Sequence, residues 1–311
     1  MVKKALLGQV GDSEIRLLQI FKAVVDCGGL SAAELELNIG RSTVSRHLRE
    51  LEDRLNLVLC RRGRAGFALT ADGQRVYERT VGLLGAIDDF RDKVRNLQDE
   101  MVGTLALGVF DKTVTNPQAH LGTAIRDFRR RAPNALLDIT VGTLTTIETA
   151  LIDGRLQLAI VPDHRRSESL VYGELFRETM YLYCGRQHPL YGKRAAAVEA
   201  ADLRRHDYAG LAFHSPNMEA AHRFGLRRRA SVTDQEAVAT LVLSGCYIGF
   251  LPDHYAAGFV AEGLMRRVQH PELRYDVQFV SAVRRSPAPT RLAQAFLDAL
   301  AGAHPPAAKP G

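Results

Sequence analysis

Hydroxyl and guanidinium side chains recur at short spacing early in the chain, and their chemistry suits a polyanion. Ser42, Arg46 and Arg49 fall on one face of a predicted helix. Hydroxyls and free helix N-terminal amides bind phosphate oxygens, and an arginine can read a guanine edge with paired hydrogen bonds. The residues of this stretch that we predict to bind DNA are Arg41, Ser42, Thr43, Ser45, Arg46 and Arg49.

A helix–turn–helix pattern positions these side chains. The opposite face of the same helix is apolar at spacings of four, three and four residues, which predicts burial of Val44, Leu48, Leu51 and Leu55. A shorter helix precedes it, where Ser31 with Glu34 predicts a capping box and Ser31 adds another hydroxyl for DNA. Gly40 is predicted to supply the backbone freedom of the turn. Taken alone, a helical hairpin with a solvated basic face is the alternative interpretation.

An arginine-rich hairpin, or wing, is predicted after the second helix. Leu57 and Leu59 precede the basic tip, and Phe67 and Leu69 follow it with strand-like alternation. Side chains at such a tip contact phosphates or enter a minor groove. The predicted wing contacts are Arg61, Arg62 and Arg64, with a solvated loop as the alternative.

Composition limits the class of protein. The chain has 311 residues, enough for two or three domains. Its net charge of +6 is a weaker guide than the seven arginines and three acids between Arg41 and Arg64, because salt screens charges beyond about 10 Å. The absence of a long apolar segment or a signal peptide predicts a cytoplasmic protein without membrane contact. The four cysteines lack C-x-x-C spacing, which predicts reduced thiols, with a Cys184–Cys246 redox pair as the alternative.

A long helix with one apolar seam is predicted from about Thr70. Its apolar positions repeat at four and three residues, interrupted by Thr80. A narrow heptad stripe is best buried against a second copy of the same helix. The predicted dimerisation residues are Val76, Leu83, Ile87, Phe90, Val94 and Leu97, with packing on the chain's own domain as the alternative.

Strands and helices alternate after about Met101, which predicts a parallel sheet with covered faces. Asn116–Pro117 is predicted to open a helix, and Thr145 with Glu148 to form the capping box of the next. A strand is predicted to end at Pro162, and Tyr181–Tyr183 is predicted as a strand of a second lobe.

The chain resembles the LysR-type transcriptional regulators from about Ile15 to Leu300. The motifs that carry the resemblance are STVSRHLRELE, LNLVLCRR, ALTADG and the late GCYIGFLP stretch. The family often has Ser where Gly40 stands and Pro where Ser42 stands. The resemblance implies an α/β fold with an N-terminal all-helical winged helix–turn–helix, a long linker helix and a two-lobed effector domain of the periplasmic-binding-protein type.

The implied domains are a DNA-binding domain at 1–70, a linker and dimerisation helix at 71–101, and an effector-binding domain at 102–311. Within the last, lobe I spans about 102–162 and 277–300 and lobe II about 175–270, with crossing strands near 162–176 and 270–277. The implied partners are double-stranded DNA with an interrupted inverted repeat, a small-molecule effector, and further copies in a dimer or a dimer of dimers.

The resemblance also implies an effector cleft between the lobes. Its matched positions are Asp111, Lys112, Thr113, Thr143, Thr145, Asp163, His214, Ser215, Asn217 and Gly245. Helix N-termini favour a carboxylate effector, and the two acids suit an amino group, so an amino-acid-like or carboxylate ligand is expected. A nucleobase-like or hydroxylated ligand fits these residue types equally well.

No catalytic motif is found, so we expect no enzyme activity, no metal site and no cofactor. The sequence contains no G-x-S-x-G, H-E-x-x-H or phosphate-binding glycine loop. An effector-controlled DNA-binding regulator is the preferred hypothesis. A solute-binding or enzyme domain with an N-terminal assembly module is the alternative.

Overall fold

The computed structural model describes residues 10–63, 66–95, 101–164, 166–192, 200–212, 216–270 and 273–304. The chain divides into two compact units, Met1–Val94 with Asp153–Arg155 and Arg95–Ile152 with Leu156–Gly311. We call them the N-terminal and C-terminal units, and describe each by itself. Among the described helices, none has both the length and the apolar character that crossing a bilayer requires.

The N-terminal unit combines helices with a two-stranded hairpin. Its elements are α1 (Asp12–Asp26), α2 (Leu30–Leu37), α3 (Arg41–Leu55), β1 (Cys60–Gly63), β2 (Gly66–Leu69) and α4 (Ala71–Arg95). The apolar faces of α1, α2 and α3 form one core, against which Phe67 of β2 and Tyr77 of α4 pack. The predicted helix–turn–helix and wing are confirmed, and the hairpin strands show that this domain is not all-helical.

The turns on either side of α2 differ from the predicted ones. This helix begins at Leu30, so Ser31 lies inside it, and the N-cap position falls on Gly29, which has no side chain to form a capping box. The left-handed residue that ends α2 is Asn38, with φ of 51°. Gly40 has φ of −60° and is the extended N-cap of α3. Asparagine tolerates the left-handed region better than most residues, so the turn does not require glycine at Gly40.

Polar contacts hold the base of the hairpin between α3 and α4. Glu52 Oε1 accepts hydrogen bonds from the N–H groups of Leu59 (2.8 Å) and Cys60 (3.2 Å). Thr70 Oγ1 accepts from the Gly73 N–H at 2.9 Å and so caps α4, which starts where the long helix was predicted to start. At Gly73 the helix approaches the hairpin so closely that a Cβ atom would collide with the Leu59 carbonyl oxygen.

The C-terminal unit is a mixed sheet covered by helices. Its strands are β3 (Gly103–Phe110), β4 (Ala135–Gly142), β5 (Leu158–Pro162), β6 (Leu170–Gly185), β7 (Asp207–Leu211), β8 (Arg227–Val232), β9 (Tyr247–Pro252), β10 (Met265–Arg267) and β11 (Arg274–Arg284). Its helices are α5 (Leu121–Arg131), α6 (Leu144–Ile152), α7 (Ala200–Leu203), α8 (Pro216–Arg223), α9 (Gln235–Leu243), α10 (Asp253–Ala261) and α11 (Arg291–Ala303). A 3₁₀ turn spans Thr113–Thr115.

The sheet has two halves joined by its two longest strands. The strand order is β4-β3-β5-β11-β6-β9-β7-β8, with β10 added beside β6. Strand β3 runs parallel to β4 and β5, and β7 runs parallel to β8 and β9. Strands β6 and β11 pair antiparallel, β11 also pairs with β5, and β6 also pairs with β9. The half around β3–β5 is lobe I and the half around β7–β9 is lobe II, which confirms the two-lobed α/β prediction.

The strands that link the two lobes, β6 and β11, overlap the ranges 162–176 and 270–277 predicted for the crossing strands. They change register between Gln278 and Val280, within their paired length. Strand β6 has 16 residues, so Tyr181–Tyr183 is the end of a strand that begins in lobe I. A bulge increases local twist and re-aims the strand, which allows one pair of strands to serve two halves of the sheet.

Two predicted helix starts in lobe I are displaced. The Asn116–Pro117 pattern predicts a start, whereas α5 begins only after His120, which has φ of 43°. The Asn116 side chain accepts a hydrogen bond from the Gln118 N–H at 2.9 Å, and such a local turn competes with helix formation. Thr143, and not Thr145, caps α6, because its hydroxyl accepts from the N–H three residues later.

Gly73→Ala is expected to destabilise the N-terminal unit by about 1–3 kcal/mol, because backbone atoms must move to admit the methyl group. Hydrogen exchange of the β1 and β2 amides in the full chain measures the loss. Gly122→Ala is the matched control, since open space surrounds that position. Equal exchange in Gly73→Ala and the wild type would show that α4 and the hairpin are not in close contact.

Candidate DNA-binding surface and effector cleft

Helix α3 separates a buried apolar face from an exposed basic one. Its buried residues are Val44, Leu48, Leu51 and Leu55. Ser42, Arg46 and Arg49 lie on the other side, where they line one open surface together with Ser45. Arg41 is also exposed, at the first position of the helix. No side chain caps this end, so its first N–H groups need partners from outside the helix.

Charge on this surface is uneven. Arg46 and Arg49 form no ion pair with any residue in the described ranges. Arg54, further along α3, is held by acids, since it lies 2.6 Å from Glu50 and also pairs with Glu14. Uncompensated positive charge therefore lies on the exposed arginines that precede Arg54. The helix dipole adds to it near the N-terminus and favours anions there.

The remaining predicted DNA contacts are described only in part. Arg61 is exposed on β1, opposite Ala68 of β2. Ser31 is exposed on α2, and Thr43 is half-buried on α3. The positions outside the described part of the structure are the Arg62 side chain and Arg64.

The predicted seam of α4 is partly exposed. Phe90 is 67% exposed and Leu83 is 38% exposed. Ile87 is half-buried, whereas Val76 packs on the core of the N-terminal unit. The first position of the seam therefore supports this unit's own fold, and the later ones present apolar side chains. The positions outside the description are the Val94 side chain and Leu97.

A small cavity of about 40 Å³ lies between the lobes, over the two crossing strands. Its apolar walls are Phe110, Leu144, Pro162, Met180, Leu211 and Val277. Its polar lining consists of His164, Glu178, Asn217, Gln235 and Tyr275. Such a volume holds about one or two water molecules. A larger molecule could enter only with movement of the lobes or of these side chains.

The segment 111–116 of lobe I, which we call the clasp, binds the N-terminal end of α9 in lobe II. Asp111 Oδ2 accepts a hydrogen bond from the Gln235 N–H at 2.9 Å. Lys112 Nζ donates to Glu236 Oε2 at 2.8 Å. Both contacts bridge the lobes and join residues that are 124 positions apart in the chain.

The clasp also binds α10. The Thr115 hydroxyl lies 2.7 Å from His254 Nδ1, and His254 Nε2 lies 2.9 Å from Glu178 Oε2. His254 and Glu178 are almost fully buried, and burial raises the pKa of Glu178 despite its hydrogen bond to His254. Lys112 lies 5.1 Å from the centre of the Tyr255 ring. The lobes are thus held together by a chain of polar contacts beside the cavity.

Three buried polar atoms around the cavity have no hydrogen-bond partner among the described residues. They are Asp111 Oδ1, Asn217 Nδ2 and Gln235 Oε1. Burial raises the pKa of Asp111 to about 6, and its hydrogen bond from Gln235 and the charge of Lys112 offset this only partly. The Tyr208 hydroxyl donates to Asn217 Oδ1, the other end of the same amide.

The structure brings only some of the predicted effector residues to the cleft. Asn217 lines the cavity, and Asp111 and Lys112 form the clasp. Thr113 is buried, and its hydroxyl donates to the Phe110 carbonyl at 2.7 Å, so it shapes the turn.

Other predicted positions among the described residues do not line the cavity. The Thr143 hydroxyl caps α6 and Thr145 is exposed. The Asp163 carboxylate binds Arg166 at 2.7 Å. Gly245 follows the C-terminal end of α9, about 13 Å along the helix from the cavity at Gln235. The positions outside the described residues are His214 and Ser215.

Sequence reasoning missed Gln235, His254 and Glu178. One signal for Glu178 was present, because it interrupts the apolar alternation of Phe176, Met180 and Leu182 on one face of β6. No cluster of three or more potential metal ligands occurs among the described residues.

Comparison with known proteins covers both units. A family model described as bacterial regulatory helix-turn-helix protein, lysR family, matches residues 15–74, and the LysR substrate binding domain matches residues 98–304. The chain belongs to the LysR family of transcriptional regulators. It is similar to the HTH-type transcriptional activator BauR of Pseudomonas aeruginosa, with 37% identity over 295 residues, 95% of this chain and 97% of BauR.

Other LysR-type proteins agree with this assignment. The regulator YtlI of Bacillus subtilis is 28% identical over 61% of this chain and 60% of its own. The crystal structure of the LysR family regulator CbnR has a TM-score of 0.65 at 21% identity, covering 94% of this chain and 99% of that one. CbnR complexed with its target DNA also has a TM-score of 0.65, at 22% identity and coverage of 93% and 99%. These likenesses show a shared fold.

The LysR-type chain is therefore a DNA-binding transcriptional regulator with an effector-binding domain. Its relatives are regulators and not enzymes, so the alternative of a solute-binding or enzyme domain has no support from them.

Asp111→Asn is expected to change how the stability of the C-terminal unit depends on pH. The pKa of Asp111 is about 6 in the fold against an ordinary 3.8, so its stabilising contribution is complete below about 3.8 and is lost as pH rises through 6. Between pH 5 and 7.5 the wild type should lose about 1.4 kcal/mol that the variant does not lose.

Urea unfolding followed by tyrosine fluorescence measures this difference, since eight of the nine tyrosines lie in the C-terminal unit. Other titrating groups occur in both proteins and cancel in the comparison. Identical changes with pH in the two proteins would be incompatible with a buried, ionisable Asp111.

Proposed function

We propose that this regulator reads operator DNA with the exposed face of α3. The observation that carries the proposal is the pair Arg46 and Arg49, exposed and without an ion pair among the described residues. Arginines on a helix in the major groove discriminate guanine, and hydroxyls near its N-terminus bind phosphate. The side chains that we assign to phosphates are Ser31, Arg41, Ser42, Thr43 and Ser45. The wing residues assigned to phosphates or the minor groove are Arg61, Arg62 and Arg64.

Arg46→Ala and Arg49→Ala are each expected to weaken operator binding by about 1–3 kcal/mol where the arginine reads a base. Fluorescence anisotropy with a duplex from upstream of the chain's own gene measures the affinity at several salt concentrations. If the arginine binds only phosphate, its replacement by alanine should instead lower the affinity for all DNA sequences and reduce the salt slope by about one.

Arg79→Ala is the control, because Arg79 is exposed on α4 and forms no ion pair with a described residue. Unchanged sequence-specific binding in both α3 variants would exclude this face of α3 as the reading surface.

We propose further that α4 pairs two copies along Leu83, Ile87, Phe90, Val94 and Leu97. Support comes from the exposure of Phe90 and Leu83 on a helix of the N-terminal unit, since an isolated apolar stripe is costly in water. A twofold dimer presents two α3 helices, which suits an interrupted inverted repeat. Two such dimers on neighbouring sites would form a dimer of dimers.

Phe90→Glu is expected to weaken self-association of the full chain at least tenfold, because it places a charge in the apolar seam. Light scattering coupled to size-exclusion chromatography measures the mass as a function of concentration. Glu78→Ala, which changes an exposed residue outside the seam, should leave the mass unchanged. A Phe90→Glu protein with wild-type association would place the dimer contact elsewhere.

The cleft between the lobes is our proposed effector site. A ligand that binds both lobes shifts the population of their arrangements, and that shift would alter the geometry of the bound dimers and the bending of DNA. We propose no cofactor, no enzyme activity, and a cytoplasmic location, where operator DNA lies. BauR is named an activator, so we propose activation as the sign of control, which transcription in vitro from the same promoter can test.

A further inference from the structure

The cavity between the lobes holds polar groups that the fold leaves unsatisfied. Asn217 and Gln235 line the cavity and are 2% and 3% exposed, and Asp111, bonded to the Gln235 N–H, is 8% exposed. Each has one buried atom without a partner among the described residues. A buried polar atom without a hydrogen bond is costly, so two such atoms in the cavity lining and a third on the adjoining Asp111 indicate a bound molecule that supplies the partners.

The unsatisfied atoms have a distinct chemical character. Asp111 Oδ1 and Gln235 Oε1 are acceptors, and the first belongs to a carboxylate. The neighbouring cation, Lys112, already binds Glu236. The burial that raises the pKa of Asp111 to about 6 is consistent with a carboxylate that lacks sufficient counter-charge.

We propose that the effector is a small molecule with a primary ammonium group, which donates to Asp111 Oδ1 and Gln235 Oε1. This inference rests on the proposed effector site in the cleft. An ammonium group brings three donors and a positive charge, whereas a hydroxyl group brings one donor and no charge. Charge-assisted hydrogen bonds to a buried carboxylate are stronger than neutral ones.

The remaining unsatisfied atom would bind a second group of the ligand, away from the ammonium group. Asn217 Nδ2 is a donor, so it would bind an acceptor such as a carboxylate oxygen on the same molecule. The cavity measures about 40 Å³, so the ligand is small and its binding must move the lobes or the flexible Met180 side chain. Because Asp111 belongs to lobe I and Asn217 and Gln235 to lobe II, such a ligand adds contacts to both lobes at once.

Isothermal titration calorimetry of the full chain tests the proposal with matched compounds of equal chain length. The probes are 3-aminopropanoate and 4-aminobutanoate, the amines propylamine and butylamine, the acids propanoate and butanoate, and 3-hydroxypropanoate. We expect at least one ammonium compound to bind at least tenfold more tightly than its matched acid and than 3-hydroxypropanoate. If only the amino acids bind, the ligand carboxylate is also required, which supports its contact with Asn217. If the amines bind as tightly as the amino acids, the ammonium group suffices.

Asp111→Asn should weaken binding of the ammonium ligand at least tenfold, while the new amide oxygen still accepts from the Gln235 N–H. Asp127→Asn is the control, because Asp127 lies on α5 and pairs with Arg131. Gln235→Met, which leaves the backbone contact in place, is a second variant should Asp111→Asn fail to fold, and it should weaken binding at least threefold. Undiminished affinity in the folded cleft variants would overturn the proposal.

Two results overturn the ligand class: no binding of any ammonium compound at millimolar concentration, or equal binding of the matched acids. Anisotropy of the promoter duplex with the same compounds separates this failure from failure of the proposed function. If the acids bind and alter promoter affinity, the protein is controlled by an effector, but the ammonium class of ligand is wrong. If ammonium compounds bind without altering promoter affinity, the ligand class is right, but effector control of DNA binding is contradicted.

Discussion

The antiparallel pairing of β6 with β11 is the constraint on which the C-terminal unit depends. The pair is shared by both lobes, because β11 also pairs with β5 in lobe I and β6 also pairs with β9 in lobe II. Two hydrogen-bonded strands resist stretching but can twist, and the register shift beside Gln278 lies where twisting would occur. Closure of the lobes must therefore be decided by weaker contacts outside this pair. The clasp supplies such contacts, and the cavity lies directly beside them.

In the N-terminal unit, one small core supports α3, the wing and α4. Burial of Leu48 and Leu51 in the core with α1 fixes the position of helix α3. The basic face of α3 takes no part in this packing and stays exposed. Glu52 of α3 accepts a hydrogen bond from the Leu59 N–H, just before the hairpin. Thr70 donates to the Val58 carbonyl and accepts from the Gly73 N–H of α4, so it links the same segment to α4. The segment that we propose to read DNA and the helix that we propose to pair two copies thus share one small core. Damage to that core would affect both properties together.

The sequence predicts elements well where one local rule acts alone. Asp234 and Thr290 cap α9 and α11 with their side chains, as is typical of these residue types before a helix, and the apolar spacing of α3 identifies its buried face. Prediction fails where two local rules compete, as at Asn116, whose side chain forms a turn of its own. The cleft was the least predictable part. Gln235 and His254 meet the clasp only through contacts between residues more than 100 positions apart, and no spacing pattern encodes such contacts.

The central claim is that contacts between the lobes govern the DNA-binding state. Operator binding by a variant that lacks clasp contacts tests it most directly. Lys112→Ala with Thr115→Ala removes two lobe-to-lobe contacts and leaves every residue that lines the cavity unchanged. Footprinting and anisotropy of the full-length protein on its promoter should show a changed length of protected DNA, or an affinity changed at least threefold, with self-association intact. A protected region and a binding curve identical to those of the wild type would contradict the account.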